Sequence, residues 1–185
     1  RYPLVTGVQT CALPILEIEV ALKTAIEYEI RVREAYLEAF DETTDPIGKK
    51  VFGLLADEED KHVKYLQYQM GKWKESGKLD LGRLETAVPK SEEIQKEVEK
   101  LEKTLSSEDR NKEIAMLERA QQVEIETTSY YKKMVNELPE EGKALFRRFV
   151  EIEEGHLKLA QAELDSLTGS GFWFDMREFD VGHRY

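Results

Sequence analysis

The chain has 185 residues, 35% of them charged, and a formal net charge of −11. Acidity on this scale argues against a nucleic-acid surface and for solubility, and no apolar run approaches the roughly 18 residues of a membrane span; the expectation is a soluble protein, cytoplasmic by default, with no nucleic-acid or membrane partner. The single cysteine, Cys11, lies in a leader treated below as non-native, so the folded part has no disulfide, cysteine-ligated zinc site or C-x-x-C redox centre.

The chain opens on a segment that does not read as native. Val5 to Ile15, Val-Thr-Gly-Val-Gln-Thr-Cys-Ala-Leu-Pro-Ile, matches codon by codon the in-frame translation of a common short-read sequencing adapter. It also lacks the cationic segment and long apolar run of a targeting peptide. Residues 1–15 are therefore expected to be a non-native leader, and the remainder is long enough for one domain with a sizeable core.

In residues 16–40, Leu22, Ala25, Glu29, Val32 and Tyr36 step three or four apart, the stripe of an amphipathic helix with one glutamate inside it. Glu27 and Glu34 fall off the stripe. After a polar turn, Asp41 to Asp45, Pro46 suits the first turn of a second helix that reaches about Lys74 and carries Leu55, Glu59, His62 and Leu66 on its seam. Gly71 to Pro89 has no sustained period and reads as a connection. Residues 91–105, with Ile94, Val98 and Leu101 on a thin stripe, read as a polar surface helix. Ser106 and Ser107 offer an N-cap for a third helix that runs to about Leu138. Its inner stripe is Leu117, Ala120 or Gln121, Glu124, Thr127 or Thr128, and Tyr131. Pro139 restarts the chain as a fourth helix to about Leu167, with Phe149, Glu153, His156 and Ala160 on its seam. No stretch alternates as a strand would, so the fold class is all-α. Residues 169–185 form an aromatic tail, with Phe172, Trp173, Phe174 and Phe179 suited to packing on the bundle or a partner subunit; His183 is expected in solvent.

The chain also repeats itself. Gly48, Lys49, Phe52, Glu59, His62 and Gln67 recur at the same spacing as Gly142, Lys143, Phe146, Glu153, His156 and Gln161, and Ala25, Glu29, Ile30 and Tyr36 recur as Ala120, Glu124, Ile125 and Tyr131. Two such hairpins, joined by a link long enough to cross the bundle, make a four-helix bundle with one long crossover.

Glu and His three apart share a helix face, and in both copies that face is the apolar seam. The residues expected to point inward are Glu29, Glu59, His62, Glu124, Glu153 and His156. One Glu-x-x-His is more often a surface pair, and one stripe glutamate is often a boundary residue; their repetition in register argues against coincidence. Four buried carboxylates are costly unless paired or bound to metal. Two divalent ions would balance them, and carboxylate with imidazole suits iron or manganese better than a thiol-loving metal. Glu58, Glu126 and Glu154, one step off the face, are expected at the surface. Tyr36 and Tyr131 are equally suited to hydrogen-bonding a ligand carboxylate and to serving as core tyrosines with satisfied hydroxyls.

Glu29 with Tyr36 seven later, Glu59-x-x-His62, Glu124 with Tyr131 seven later, and Glu153-x-x-His156 resemble the rubrerythrin branch of the ferritin-like di-iron superfamily, over residues 16–168. The resemblance implies a ferritin-like bundle holding two iron ions, with Mn/Fe or Mn as variants. It implies that Glu59 and Glu153 bridge the metals, that Glu29 and His62 complete one shell and Glu124 and His156 the other, and that these six residues carry the reaction. That reaction would be reduction of hydrogen peroxide or dioxygen by a homodimer. The chain departs from the pattern twice. It has no rubredoxin-like module with four cysteines, so electrons must come from a separate donor protein. The extra third-helix glutamate of many rubrerythrins is also missing: Gln121 and Thr127 stand three residues either side of Glu124, with Thr127 facing the same cavity. An iron-oxidising, iron-handling or storage protein and a metal-free helical scaffold are the alternative readings.

Overall fold

The computed structural model describes residues 13–82, residue 84 and residues 107–168. These form four helices, α1 (Leu13–Glu42), α2 (Pro46–Ser76), α3 (Ser107–Glu137) and α4 (Glu140–Thr168), with no strand among the described residues. The expected surface helix over 91–105 and the aromatic tail over 169–185 lie outside them, as do residues 1–12.

Two boundaries differ from those expected. Helix α1 begins at Leu13, inside the stretch read as leader; Pro14 falls in its first turn, where a missing N–H costs nothing. Helix α2 continues through Gly71, which was expected to open the connection, because a lone interior glycine costs only about 1 kcal/mol relative to alanine. The helix stops instead at Gly77, which takes φ 65° and donates its N–H to Trp73 O at 2.8 Å, a left-handed cap that glycine adopts without strain. At the other end of α2, Asp45 caps the helix by accepting from Gly48 N at 3.2 Å, and Pro46 opens the first turn.

Each hairpin packs closely, α1 on α2 and α3 on α4; α1 also packs along α3, whereas α4 meets α2 more loosely. Tyr36 of α1 reaches Glu124 of α3 while Tyr131 of α3 reaches Glu29 of α1, so these two helices run antiparallel. It follows that α2 and α3 point the same way, and the link between them joins opposite ends of helices about 45 Å long. This is the long crossover expected from the repeat.

The core lies on both sides of a polar centre. One cluster contains Ile18, Leu22, Leu66, Trp73, Tyr131, Phe146 and Phe149; the other contains Val32, Tyr36, Phe52, Leu55, Leu117, Leu159 and Leu167. The looser α2/α4 seam is spanned by the segment after Gly77. Glu141 accepts from Leu79 N, Gln69 pairs with the backbone of Asp80, and Arg148 donates to Gly82 O and Leu84 O at 2.8 Å each.

Candidate metal centre

The six polar residues expected to face inward are all fully buried and meet midway along the bundle. Both imidazoles turn Nδ1 toward the carboxylates, and their rings stack at 5.3 Å and 6°. His62 Nδ1 lies 3.2 Å from Glu29 Oε2, 3.1 Å from Glu59 Oε2 and 3.3 Å from Glu153 Oε1. His156 Nδ1 lies 3.6 Å from Glu124 Oε1, 2.7 Å from Glu59 Oε1 and 3.1 Å from Glu153 Oε2. Glu59 and Glu153 therefore each present one oxygen to either histidine, while Glu29 stands only on the His62 side and Glu124 on the His156 side. Glu59, His62, Glu153 and His156 each offer a ligand atom within 4.8 Å of the others.

These donors fit a pair of metal ions better than they fit one another. Glu59 Oε1, Glu124 Oε2, both oxygens of Glu153 and Nδ1 of His156 are buried and make no hydrogen bond among the described residues. His156 Nδ1 approaches Glu59 Oε1 closely but without the alignment a hydrogen bond requires. Buried polar atoms left without partners in this way mark the place of an ion or ordered water.

Electrostatics tell the same story. Burial, reinforced by Glu153 and Glu59, pushes Glu29 well above the usual carboxylate range and Glu124 up to about 8. Burial works against Glu59 and Glu153 too, but His62 and His156 overcome it and hold both low. The same ion pairs outweigh the burial of the imidazoles and raise both. In the absence of metal these shifts favour protonated imidazoles beside ionised Glu59 and Glu153, and make Glu29 and Glu124 the carboxyls that hold protons most readily. A metal pair must displace these protons to bind.

The tyrosines reach across the bundle. Tyr36 donates to Glu124 Oε1 at 2.7 Å and Tyr131 donates to Glu29 Oε1, so each outer carboxylate is oriented by a phenol from the opposite hairpin. Thr127 is fully buried, but its hydroxyl donates to Val123 O one turn back, at 2.9 Å, which turns it from the ligands to its own helix. Glu58 is a correction: expected at the surface, it is fully buried and pairs with Lys61 Nζ at 2.6 Å. The closed arc of α2 is wider than its inner stripe and also takes in Ala56, Val63 and Gln69. Glu126 and Glu154 are exposed enough to pair at the surface with Arg31 and Lys132.

Sequence reasoning passed over a second group of acids. Asp45, Glu113 and Glu163 are buried, with oxygens within 4.8 Å of one another. A side chain on Gly48 would collide with the Glu113 carboxylate. The signal was present, since Glu113 lies four before Leu117 and Glu163 three after Ala160, both on inner stripes.

Two hairpins with one long crossover around a buried carboxylate and histidine cluster define the ferritin-like four-helix bundles. Within that class, the family model for rubrerythrin matches residues 21–164, and the chain belongs to the rubrerythrin family. Neither a curated protein nor a solved structure matches it. No described helix is long and apolar enough to cross a membrane.

Proposed function

We propose that the protein is a di-metal oxidoreductase, most simply di-iron, that reduces hydrogen peroxide with electrons from a separate donor protein. The observation that carries this reading is the placement of Glu59 and Glu153, each with one oxygen on the His62 side and one on the His156 side. Two metal positions sharing two carboxylates need that geometry; one position does not.

In this reading Glu29 and His62 would hold one ion and Glu124 and His156 the other, with Glu59 and Glu153 placed to serve both. Four carboxylates balance two divalent cations, so burial costs no net charge. A reduced metal pair held there would supply the two electrons that cleavage of an O–O bond needs. The chain excludes bulk water by closing the centre between two apolar clusters. Tyr36 and Tyr131 hold Glu124 and Glu29 in place, and each keeps a proton at the edge of the site. Peroxide reduction to two waters consumes two electrons and two protons, and dioxygen is the competing oxidant.

Anaerobic Fe(II) loading followed by separate stopped-flow mixing with hydrogen peroxide and with air tests the reading. Faster oxidation by peroxide supports a peroxidase. Faster oxidation by air, in an assembly the size of a large cage rather than a dimer, supports iron handling instead.

A further inference from the structure

The repeat makes the two sides of the centre equivalent, so a difference between them calls for its own explanation. On the Glu29 side, Tyr131 bonds to the carboxylate and its ring lies 5.8 Å from that of Tyr130. Tyr130 in turn stacks on Tyr28 at 4.9 Å and 23°. The Arg31 guanidinium sits 4.4 Å above the Tyr28 ring, with half its side chain in solvent. Tyr28 and Tyr130 are half-buried, so three rings in contact lead from a carboxylate of the centre to the surface.

On the Glu124 side the positions equivalent to Tyr131, Tyr130 and Tyr28 hold Tyr36, Ala35 and Val123. The first ring is present and the next two are not. Tyr36 has Phe52 as its ring neighbour at 6.5 Å, and Phe52 is fully buried, so this side has no ring path outward among the described residues. A third route, His62 to Phe149 at 5.4 Å and on to the half-buried Tyr65 at 6.1 Å, also reaches the surface, where the Tyr65 hydroxyl donates to Gly82 O, but its ring contacts are edge-on and tilted, with no stacked pair along it.

We propose that the column Tyr28, Tyr130, Tyr131 is the path by which an external one-electron donor reduces the Glu29–His62 half of the centre. The proposal rests on the metal-centre reading above. Each passage takes one electron from the donor and lowers one metal ion by one charge; two passages recharge the pair. No bond is made or broken, and the rings are neither oxidised nor reduced: they couple donor to acceptor through the Tyr28–Tyr130 stack and the tilted contact of Tyr130 with Tyr131. Tunnelling weakens steeply with each through-space gap, and Ala35 and Val123 offer no π system where Tyr130 and Tyr28 stack at 4.9 Å. Tyr130 fits a bridge better than a radical station, because its hydroxyl donates to the backbone carbonyl of Ala21 at 2.9 Å, a group that cannot take the proton a tyrosyl radical would release.

The repeat supplies a matched control, since Glu27 beside Tyr28 and Gln122 beside Val123 are equivalent, exposed positions. In the 185-residue chain carrying Cys11→Ser, a photoreductant is attached at Glu27→Cys or at Gln122→Cys. Iron content is measured, and flash reduction is followed as bleaching of the oxidised metal pair. Reduction from position 27 is expected to be at least several-fold faster than from 122; Tyr130→Leu should remove the advantage and Tyr130→Phe should keep it. Equal rates from the two labels, or an advantage that survives Tyr130→Leu, would overturn the path while leaving the metal reading intact. A chain that takes up no iron would instead refute the metal reading, and the path with it.

Discussion

The two ends of the bundle are built from one repeat and packed differently. At one end Phe149, Leu66, Trp73 and Tyr65 surround the His62 side; the equivalent positions at the other end hold Leu55, Ala160, Leu167 and Leu159. His62 meets the edge of Phe149 at 5.4 Å and 78°, where His156 has an aliphatic side chain at the matching place. Ile18 and Gln69 at the aromatic end correspond to Glu113 and Glu163 at the aliphatic end, so the end with fewer rings also carries the buried acids. In the core, the six ligand-type residues and the two tyrosines stay constant, as do Phe52 with Phe146, Leu22 with Leu117 and Ala25 with Ala120. The comparison separates what the centre requires from what each end was free to change.

The largest expected effect tests the constancy of the centre. Glu59→Ala or Glu153→Ala should lose both metal positions, because each residue serves both sides, whereas His62→Ala or His156→Ala should mainly weaken one. Each glutamate variant also leaves buried imidazoles uncompensated, at about 3–5 kcal/mol in the metal-free protein. Metal content and denaturant unfolding check this, and a Glu59→Ala protein that keeps one tight ion would show that the carboxylate does not bridge.

Packing comes next. Phe149→Ala should cost about 3–5 kcal/mol and Leu55→Ala about 2–5 kcal/mol, with only the former disturbing the His62 ring, as seen in its imidazole NMR signals. Equal disturbance of both histidines by Phe149→Ala would mean that the two ends are not separately packed.

Metal binding should then invert the pH dependence of stability. In the metal-free protein Glu124 titrates at about 8 against 4.5 in the unfolded chain, so the folded state holds the extra proton and stability falls as pH rises between those values. The raised histidines act in the same direction: their contribution is complete below 6.5 and is lost as pH climbs through their folded values. Glu59 and Glu153, held low, contribute above 4.5 and lose that contribution only in acid. Metal-free melting temperature should therefore drop from mildly acidic to mildly alkaline pH. Fe(II) or Mn(II) should add about 2.7 kcal/mol per site where its concentration is a hundred times the dissociation constant, and at a fixed metal concentration this gain should grow with pH, because the dissociation constant falls as fewer protons need displacing. Identical melting curves with and without metal across that range would count heavily against a metal centre.

Smaller effects probe the cross-hairpin bonds. Tyr36→Phe and Tyr131→Phe each remove a donor from a buried carboxylate and should cost about 1–3 kcal/mol; similar values for the two would show that the pseudo-twofold survives at this level. Thr127→Val, which copies its repeat equivalent Val32, should cost under about 1 kcal/mol and leave metal content unchanged, because the hydroxyl serves its own helix backbone.

The all-α architecture, the two hairpins and the inward direction of Glu29, Glu59, His62, Glu124, Glu153 and His156 were legible in the chain alone. Each depends on spacing along one helix and on the repetition of that spacing, and helical periodicity is a local property. Helix ends were less legible: Gly71 and Gly77 look alike in sequence, and only the second adopts the left-handed turn that ends α2. Tertiary structure alone decided which hairpin each tyrosine serves, that Glu58 is buried with its charge met by Lys61, that Asp45, Glu113 and Glu163 converge, and that Tyr28 stacks on Tyr130. Those contacts join residues far apart in the chain, so they depend on how the helices cross and which faces come opposite. Spacing within a single helix carries no record of that.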